Sequence, residues 1–110
     1  MTTAKVEAEV RGDVVCIAVS GEIDLANAGS VQDRVHAAIS NDVSTVVLDL
    51  SDLEYLDSAG LRVLFTLADR LRVLQMGLDL VVAPRSAVRR AVELSGLEPV
   101  ARLRPGPARD

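Results

Sequence analysis

The chain is poor in the side chains that most often do chemistry or grip ligands. It has one cysteine, one histidine, one tyrosine, one phenylalanine and no tryptophan. A lone cysteine, Cys16, excludes an internal disulfide and fits a reducing compartment. With His36 as the only histidine, no zinc-type set of Cys and His ligands can be assembled. Scarce aromatics leave no row of platforms for stacking single-stranded nucleic acid, and they require an aliphatic core. An excess of positive charge is also missing. Twelve Lys and Arg stand against 16 Asp and Glu, a formal charge of −4, which opposes direct binding to a nucleic-acid backbone. No apolar run approaches the roughly 20 residues of a membrane helix, so membrane insertion is not expected. Nor does the N-terminus combine a basic start, an apolar stretch and a small-residue cleavage site. These absences point to a cytoplasmic protein.

What remains is enough for one aliphatic core. The chain has 110 residues, 49% of them hydrophobic, within the range of a single domain. Val6, Ala8 and Val10 alternate with Glu7 and Glu9, the mark of a half-buried strand. A turn at Arg11, Gly12 and Asp13 leads into a nearly continuous apolar strand over 14–19, so the opening reads as a hairpin. Ala28, Val31, Val35, Ala38 and Ile39 recur at helical spacing over 27–40. Residues 45–50 are rich in β-branched side chains and read as a central strand.

The clearest helix follows. Leu61, Val63, Leu64, Leu67, Ala68, Leu71 and Leu74 fall on one arc, with Arg62, Thr66, Asp69 and Arg70 opposite. A further apolar strand covers 78–83 and is ended by Pro84. Ser86 is an N-cap for a third helix carrying Val88, Ala91 and Val92 inward, and Gly96 is its stop. Residues 100–103 suggest a last edge strand, and 104–110 a loose tail. The order β-β-α-β-α-β-α-β predicts an α/β domain over 1–103, with helices packed on a mixed, mostly parallel sheet of four to five strands.

Charge is unevenly spread. Asp24, Asp33, Asp42, Asp49, Asp52, Glu54 and Asp57 crowd the first half and middle, whereas Arg85, Arg89, Arg90, Arg102, Arg104 and Arg109 dominate the last third. Such a dipolar surface can orient a partner.

Asp57, Ser58, Ala59, Gly60 and Leu61 open the best helix. Asp57 and Ser58 are both strong capping residues, because their oxygens can accept free first-turn amides. As caps they need no further explanation, and Gly60 would permit close packing. A functional reading makes Ser58 an exposed acceptor of a phosphoryl group. A phosphate there would face free amides and the positive end of the helix dipole. It would add about −1.5 to −2 charges beside Asp57, Glu54 and Asp52, and would repel a partner surface matched to the neutral hydroxyl.

Four blocks in this order resemble one family: Gly21-Glu22-Ile23-Asp24; the run over 46–53; Leu56-Asp57-Ser58-Ala59-Gly60-Leu61; and Leu94-Ser95-Gly96-Leu97. Together they are similar to the STAS domain family, specifically the bacterial anti-sigma factor antagonists, over about residues 6–103. The resemblance implies a binding protein and not an enzyme, with no cofactor. It would bind an anti-sigma factor with serine kinase activity while Ser58 is unphosphorylated, freeing a sigma factor in a stress response. Phosphorylation of Ser58 would end that binding, and a phosphoserine phosphatase would reset it. The implied partner surface is Glu22, Asp24, Leu25, Asn27, Asp57, Ser58, Ala59, Gly60, Leu61 and Arg62, on a monomer or weak dimer. Asp24 would otherwise serve as a cap or turn former, and Leu61 as core. Two departures stand out. Ala59 replaces a second serine found in many relatives, and the final helix of many relatives is expected to be missing, leaving one sheet edge less covered.

Rival readings have less support. A hydrolase using Ser58 needs a base, and His36 falls on the polar side of the first helix with no G-x-S-x-G elbow in the chain. A phospho-aspartate receiver would need a late lysine, but Lys5 is the sole lysine. No Gly-rich phosphate loop is visible, and Cys16 reads as a small core residue. The alternative within the same fold is a regulatory or scaffold subunit of a stress-signalling or lipid-transport complex.

Overall fold

The structure is a computed structural model that describes residues 3–96 and 102–104. The first motif is an antiparallel hairpin of β1 (Ala4–Arg11) and β2 (Val14–Ile23); Val6 is half-buried as its alternation predicts, but Ala8 and Val10, expected on the same face, are exposed. Then follow α1 (Ala28–Ala37), β3 (Thr45–Asp49), β4 (Leu53–Leu56), α2 (Ser58–Val73), β5 (Gly77–Val81), α3 (Ala87–Ser95) and β6 (Arg102–Arg104). The sheet order is β1-β2-β3-β5-β6, and β4 pairs with β2 alone. Every pairing after the hairpin is parallel. The expected α/β class is therefore observed. Of the strand expected over 100–103, residues 102 and 103 are seen in β6, which also takes in Arg104, expected in the tail over 104–110; residues 100, 101 and 105–110 lie outside the described residues.

Two features differ from the sequence reading. β2 does not stop near residue 19 but continues to Ile23, and its last residues pair with β4, a strand the sequence reading did not contain. Pairing shifts register between Gly21 and Glu22. Gly21 has φ +93°, and a β-carbon there would lie 2.5 Å from the Thr3 carbonyl oxygen, so the irregularity requires glycine. β2 can thus pair with β3 through Val14–Ala18 and with β4 through Gly21–Ile23.

The second difference concerns burial. Val15, Ile17 and Val19 on β2 and Val46 and Leu48 on β3 are buried, whereas the alternate residues Val14, Cys16, Thr45 and Val47 are only half-buried and Ala18 is exposed. The sheet is dry on one face. Cys16 consequently sits half-buried on the face away from the main core, not within it. The inward row joins one aliphatic cluster with Val31 and Val35 of α1, Val63, Leu64, Leu67, Ala68 and Leu71 of α2, and Val88 and Val92 of α3. Among β1 to β5, the strands whose burial is described, only β5 is buried continuously, from Leu78 to Val81.

Helix ends follow local chemistry. Ser86 Oγ accepts the Arg89 amide at 3.0 Å and caps α3, which closes on Gly96 at φ +84°. α2 runs to Val73, leaving Leu74 partly exposed beyond the apolar arc. Among the described residues no helix is long and apolar enough to cross a membrane.

Candidate functional site

The carboxyl ends of β2 and β4 lie side by side in parallel, so the loop after β2 and the start of α2 emerge together. The Asp57 amide donates to the Ile23 carbonyl at 3.2 Å and ties the two exits. The loop then closes on itself. Asp24 Oδ1 accepts the Ala26 amide at 2.8 Å, Asn27 Oδ1 accepts the Asp24 amide at 2.9 Å, and Asn27 Nδ2 donates to the Glu22 carbonyl at 2.9 Å. The Asp24 carbonyl takes the Ala28 amide at 2.9 Å as α1 begins. Asp24 and Asn27 are therefore turn builders whose side chains hold the loop, and neither caps α1 with its side chain. Leu25, at the apex, is left 83% exposed.

On the other side, Asp57 is extended and caps α2: its Oδ1 accepts the amides of Ala59 at 2.9 Å and Gly60 at 3.2 Å. Its carbonyl takes the Leu61 amide at 3.0 Å. A phosphate on Ser58 would consequently not meet free amides at residues 59 to 61, contrary to the sequence expectation, because Asp57 already occupies them. Gly60 is buried, and a β-carbon there would lie 2.8 Å from Leu56 Cβ. It lets α2 sit directly on β4.

Ser58 itself is exposed at the first position of α2. It lines a groove of about 340 Å³ between the helices, with Ala59, Arg62 and Val63 on the α2 side, Ala28, Gly29 and Gln32 on the α1 side, and Leu25 at the loop. The structure thus gathers Leu25, Ser58, Ala59 and Arg62 from the expected surface around one groove. It places Gly60 beneath the site and Leu61 half-buried against the core. Glu22 is exposed on β2 opposite Tyr55 of β4, which is itself half-exposed. Sequence reasoning missed Ala28, Gly29 and Gln32. The signal was available, since 25, 28, 29 and 32 repeat at one-turn spacing.

Among the described residues no ionisable side chain lines the groove apart from the Arg62 guanidinium, so none of them would activate Ser58 as a nucleophile. His36 lies in the last turn of α1, toward Arg70 of α2, two turns from Gly29. It is not the surface histidine expected from its place on the polar side. Its Nε2 is buried with no hydrogen-bond partner among the described residues, and burial lowers its pKa below the ordinary 6.5, helped by Arg70 and opposed by Asp33. Among the described residues no group of acids, His and Cys is placed to hold a metal ion.

These features coincide with a family. The model of the STAS domain matches residues 5–108. The anti-sigma-F factor antagonist RsfB of Mycobacterium tuberculosis is 32% identical over 91 residues, covering 82% of this chain and 72% of RsfB. An anti-sigma factor antagonist from Mycobacterium paratuberculosis superposes with a TM-score of 0.83 at 29% identity, over 94% of this chain and 86% of that one. The Bacillus cell fate determinant SpoIIAA, in its phosphorylated form, superposes with a TM-score of 0.68 over 91% of both chains. At 22% identity that likeness is one of fold. Family match, sequence relatives and architecture agree: the chain belongs to the STAS domain family.

Proposed function

We propose that this chain is an anti-sigma factor antagonist whose binding surface is the Leu25–Ser58 groove and whose switch is phosphorylation of Ser58. The observation that carries the reading is the placement of Ser58. Its hydroxyl is exposed on a partly apolar groove beside an exposed leucine, with no base to make it catalytic and no neighbouring hydroxyl at Ala59 to compete. The partner is an anti-sigma factor that is also an ATP-dependent serine kinase. In the modifying step the Ser58 Oγ–phosphorus bond forms as ATP's terminal P–O bond breaks, ADP leaves, and the hydroxyl proton passes to the kinase. A phosphatase returns the hydroxyl.

Leu25 is the natural anchor, because it is a large aliphatic side chain left 83% exposed at the groove, and burying it against a partner is worth about 1.5–3 kcal/mol. A phosphate in the same groove brings about −1.5 to −2 charges, which the partner must desolvate against Asp57. Each 1.4 kcal/mol of that penalty weakens binding about tenfold. Glu22 and Asp24 supply the acidic rim.

The test is capture from the native cytosol with wild type, Ser58→Ala and Ser58→Asp. A kinase-type anti-sigma protein should be retained by the first two and released by the third, and Leu25→Ala should weaken its capture. After incubation with that protein and ATP, mass spectrometry should find phosphate on Ser58 alone. Equal capture by wild type, Ser58→Ala and Ser58→Asp sinks the switch.

A further inference from the structure

Arg62 is four residues beyond Ser58 on α2, so the two side chains share a helix face one turn apart, and both line the same groove. Arg62 is exposed and makes no ion pair or hydrogen bond among the described residues, whereas Arg72 and Arg89 are paired to Asp69 and Glu93. A free guanidinium beside an apolar groove is available for a partner. The same guanidinium is also the nearest cation along α2 for any anion placed on Ser58. Three of the amides that a helix start ordinarily offers to a phosphate are committed here, since Asp57 Oδ1 holds those of Ala59 and Gly60 and its carbonyl holds that of Leu61, which leaves only the amide of Ser58 itself. Asp57 moreover adds a negative charge next to the acceptor. A full counter-charge for the phosphate must therefore come from a side chain, and among the described residues that line this groove the only cation is Arg62.

We infer that Arg62 is the second half of the switch: free to pair with a carboxylate of the protein partner while Ser58 is unmodified, and drawn onto the phosphate once Ser58 is modified. The inference rests on the reading of Ser58 as the acceptor. The geometry favours it, because an anion at i with a cation at i+4 is the better orientation on a helix, and the guanidinium fork matches phosphate oxygens two at a time. Phosphorylation then weakens the partner contact twice, by adding negative charge and by withdrawing the positive charge the partner uses. An aspartate at 58 has less charge and a shorter reach, so it reproduces the first effect better than the second.

The experiment uses the full chain with phosphoserine incorporated at position 58 during synthesis, so no kinase is needed. The phosphate is titrated by phosphorus NMR in wild type, R62Q and R62K. With Arg62 present, the second phosphate ionisation should fall about half a pH unit below that in R62Q, the expected effect of one cation at roughly 5 Å near water. R62K should lie between them. Circular dichroism checks that the exposed substitutions leave the fold intact. In a parallel arm, unphosphorylated R62Q should bind the captured anti-sigma protein about tenfold more weakly than wild type, with the gap closing at high salt. Equal phosphate titrations in wild type and R62Q overturn the clamp. Unchanged binding of unphosphorylated R62Q overturns the partner half. Failure of the kinase to modify Ser58 would count against the acceptor reading alone, since the titration does not depend on it.

Discussion

Replacing Gly60 by alanine sets two effects of opposite sign against each other. In a helix interior alanine is favoured over glycine by about 0.8–1 kcal/mol, and less at this first-turn position. Against this, the new β-carbon would lie 2.8 Å from Leu56 Cβ, roughly 1 Å inside the ordinary 3.5–4.0 Å carbon contact. Leu56 Cβ is anchored to the β4 backbone and cannot rotate away. Retreat is limited, because Ile23 Cβ and Cγ2 both stand at 3.4 Å and Ile23 is 1% exposed. α2 must therefore lift off β4, which also strains the Gly60 amide bond to Asp57 Oδ1 at 3.2 Å. Overpacking of this kind costs about 1–3 kcal/mol, so Gly60→Ala should lose about 1–2 kcal/mol net. For a domain of this size the melting temperature should fall by roughly 5–10 °C. Gly29 is the control: it is helical, and nothing lies within 4 Å of where its β-carbon would be. Gly29→Ala should gain about 0.4–1 kcal/mol. Urea unfolding with unchanged m-values reads both. A Gly60→Ala protein as stable as wild type, or two variants moving in the same direction, would refute the packing argument.

Two further outcomes are expected. Asp57→Ala should cost about 1 kcal/mol by removing the α2 cap, whereas Asp57→Asn, which keeps an acceptor oxygen, should lose much less. Equal losses in the two variants, measured by denaturant unfolding, would mean that the Oδ1 bonds to Ala59 and Gly60 are not what the residue contributes. His36 gives a pH dependence. Burial first, and Arg70 second, lower its folded pKa below 6.5, so the unfolded chain binds the proton more readily. Its contribution to stability is whole above pH 6.5 and is lost as pH falls through that value toward the lower folded one. His36→Gln should flatten the fall in stability between pH 7.5 and 5.5 relative to wild type, and parallel curves would rule out the assignment.

Much of this architecture can be read from the chain, because most elements carry their own period. The alternation of Val6, Ala8 and Val10 with Glu7 and Glu9 leaves little but a strand, and the α2 arc from Val63 to Leu71 is buried as its spacing demands. β4 had no such signal. Leu53-Glu54-Tyr55-Leu56 is buried at its two ends and exposed between them, a pattern that neither alternates nor repeats every turn. It becomes a strand only because β2 extends past Gly21 to meet it, and a pairing so distant in sequence leaves no local trace. The apolar runs over 14–19 and 45–50 misled in another way. Hydrophobicity on both sides of a strand suggests two buried faces, yet only one face joins the core. His36 was misjudged because its position on the helix wheel predicts solvent, while α2 brings Arg70 across to it.

The helix start at Ser58 was legible for a reason that also explains the error made about it. Capping chemistry marks residues 57 and 58 as a helix start, and the block from Leu56 to Leu61 is where the family resemblance is strongest. Which of the two oxygens would cap was not written in propensities, because both residue types cap well. The fold decides it. The bond from the Asp57 amide to the Ile23 carbonyl fixes residue 57 in an extended conformation outside the helix, and its carboxylate then reaches the amides two and three residues on. Ser58 is thereby released from structural duty and turned toward α1. Had Ser58 been the cap, its hydroxyl would be engaged with the backbone, and modifying it would unravel the helix start. With Asp57 as the cap, a phosphate on Ser58 would leave the N-terminus of α2 in place, so the proposed change of charge at the surface need not become a change of fold.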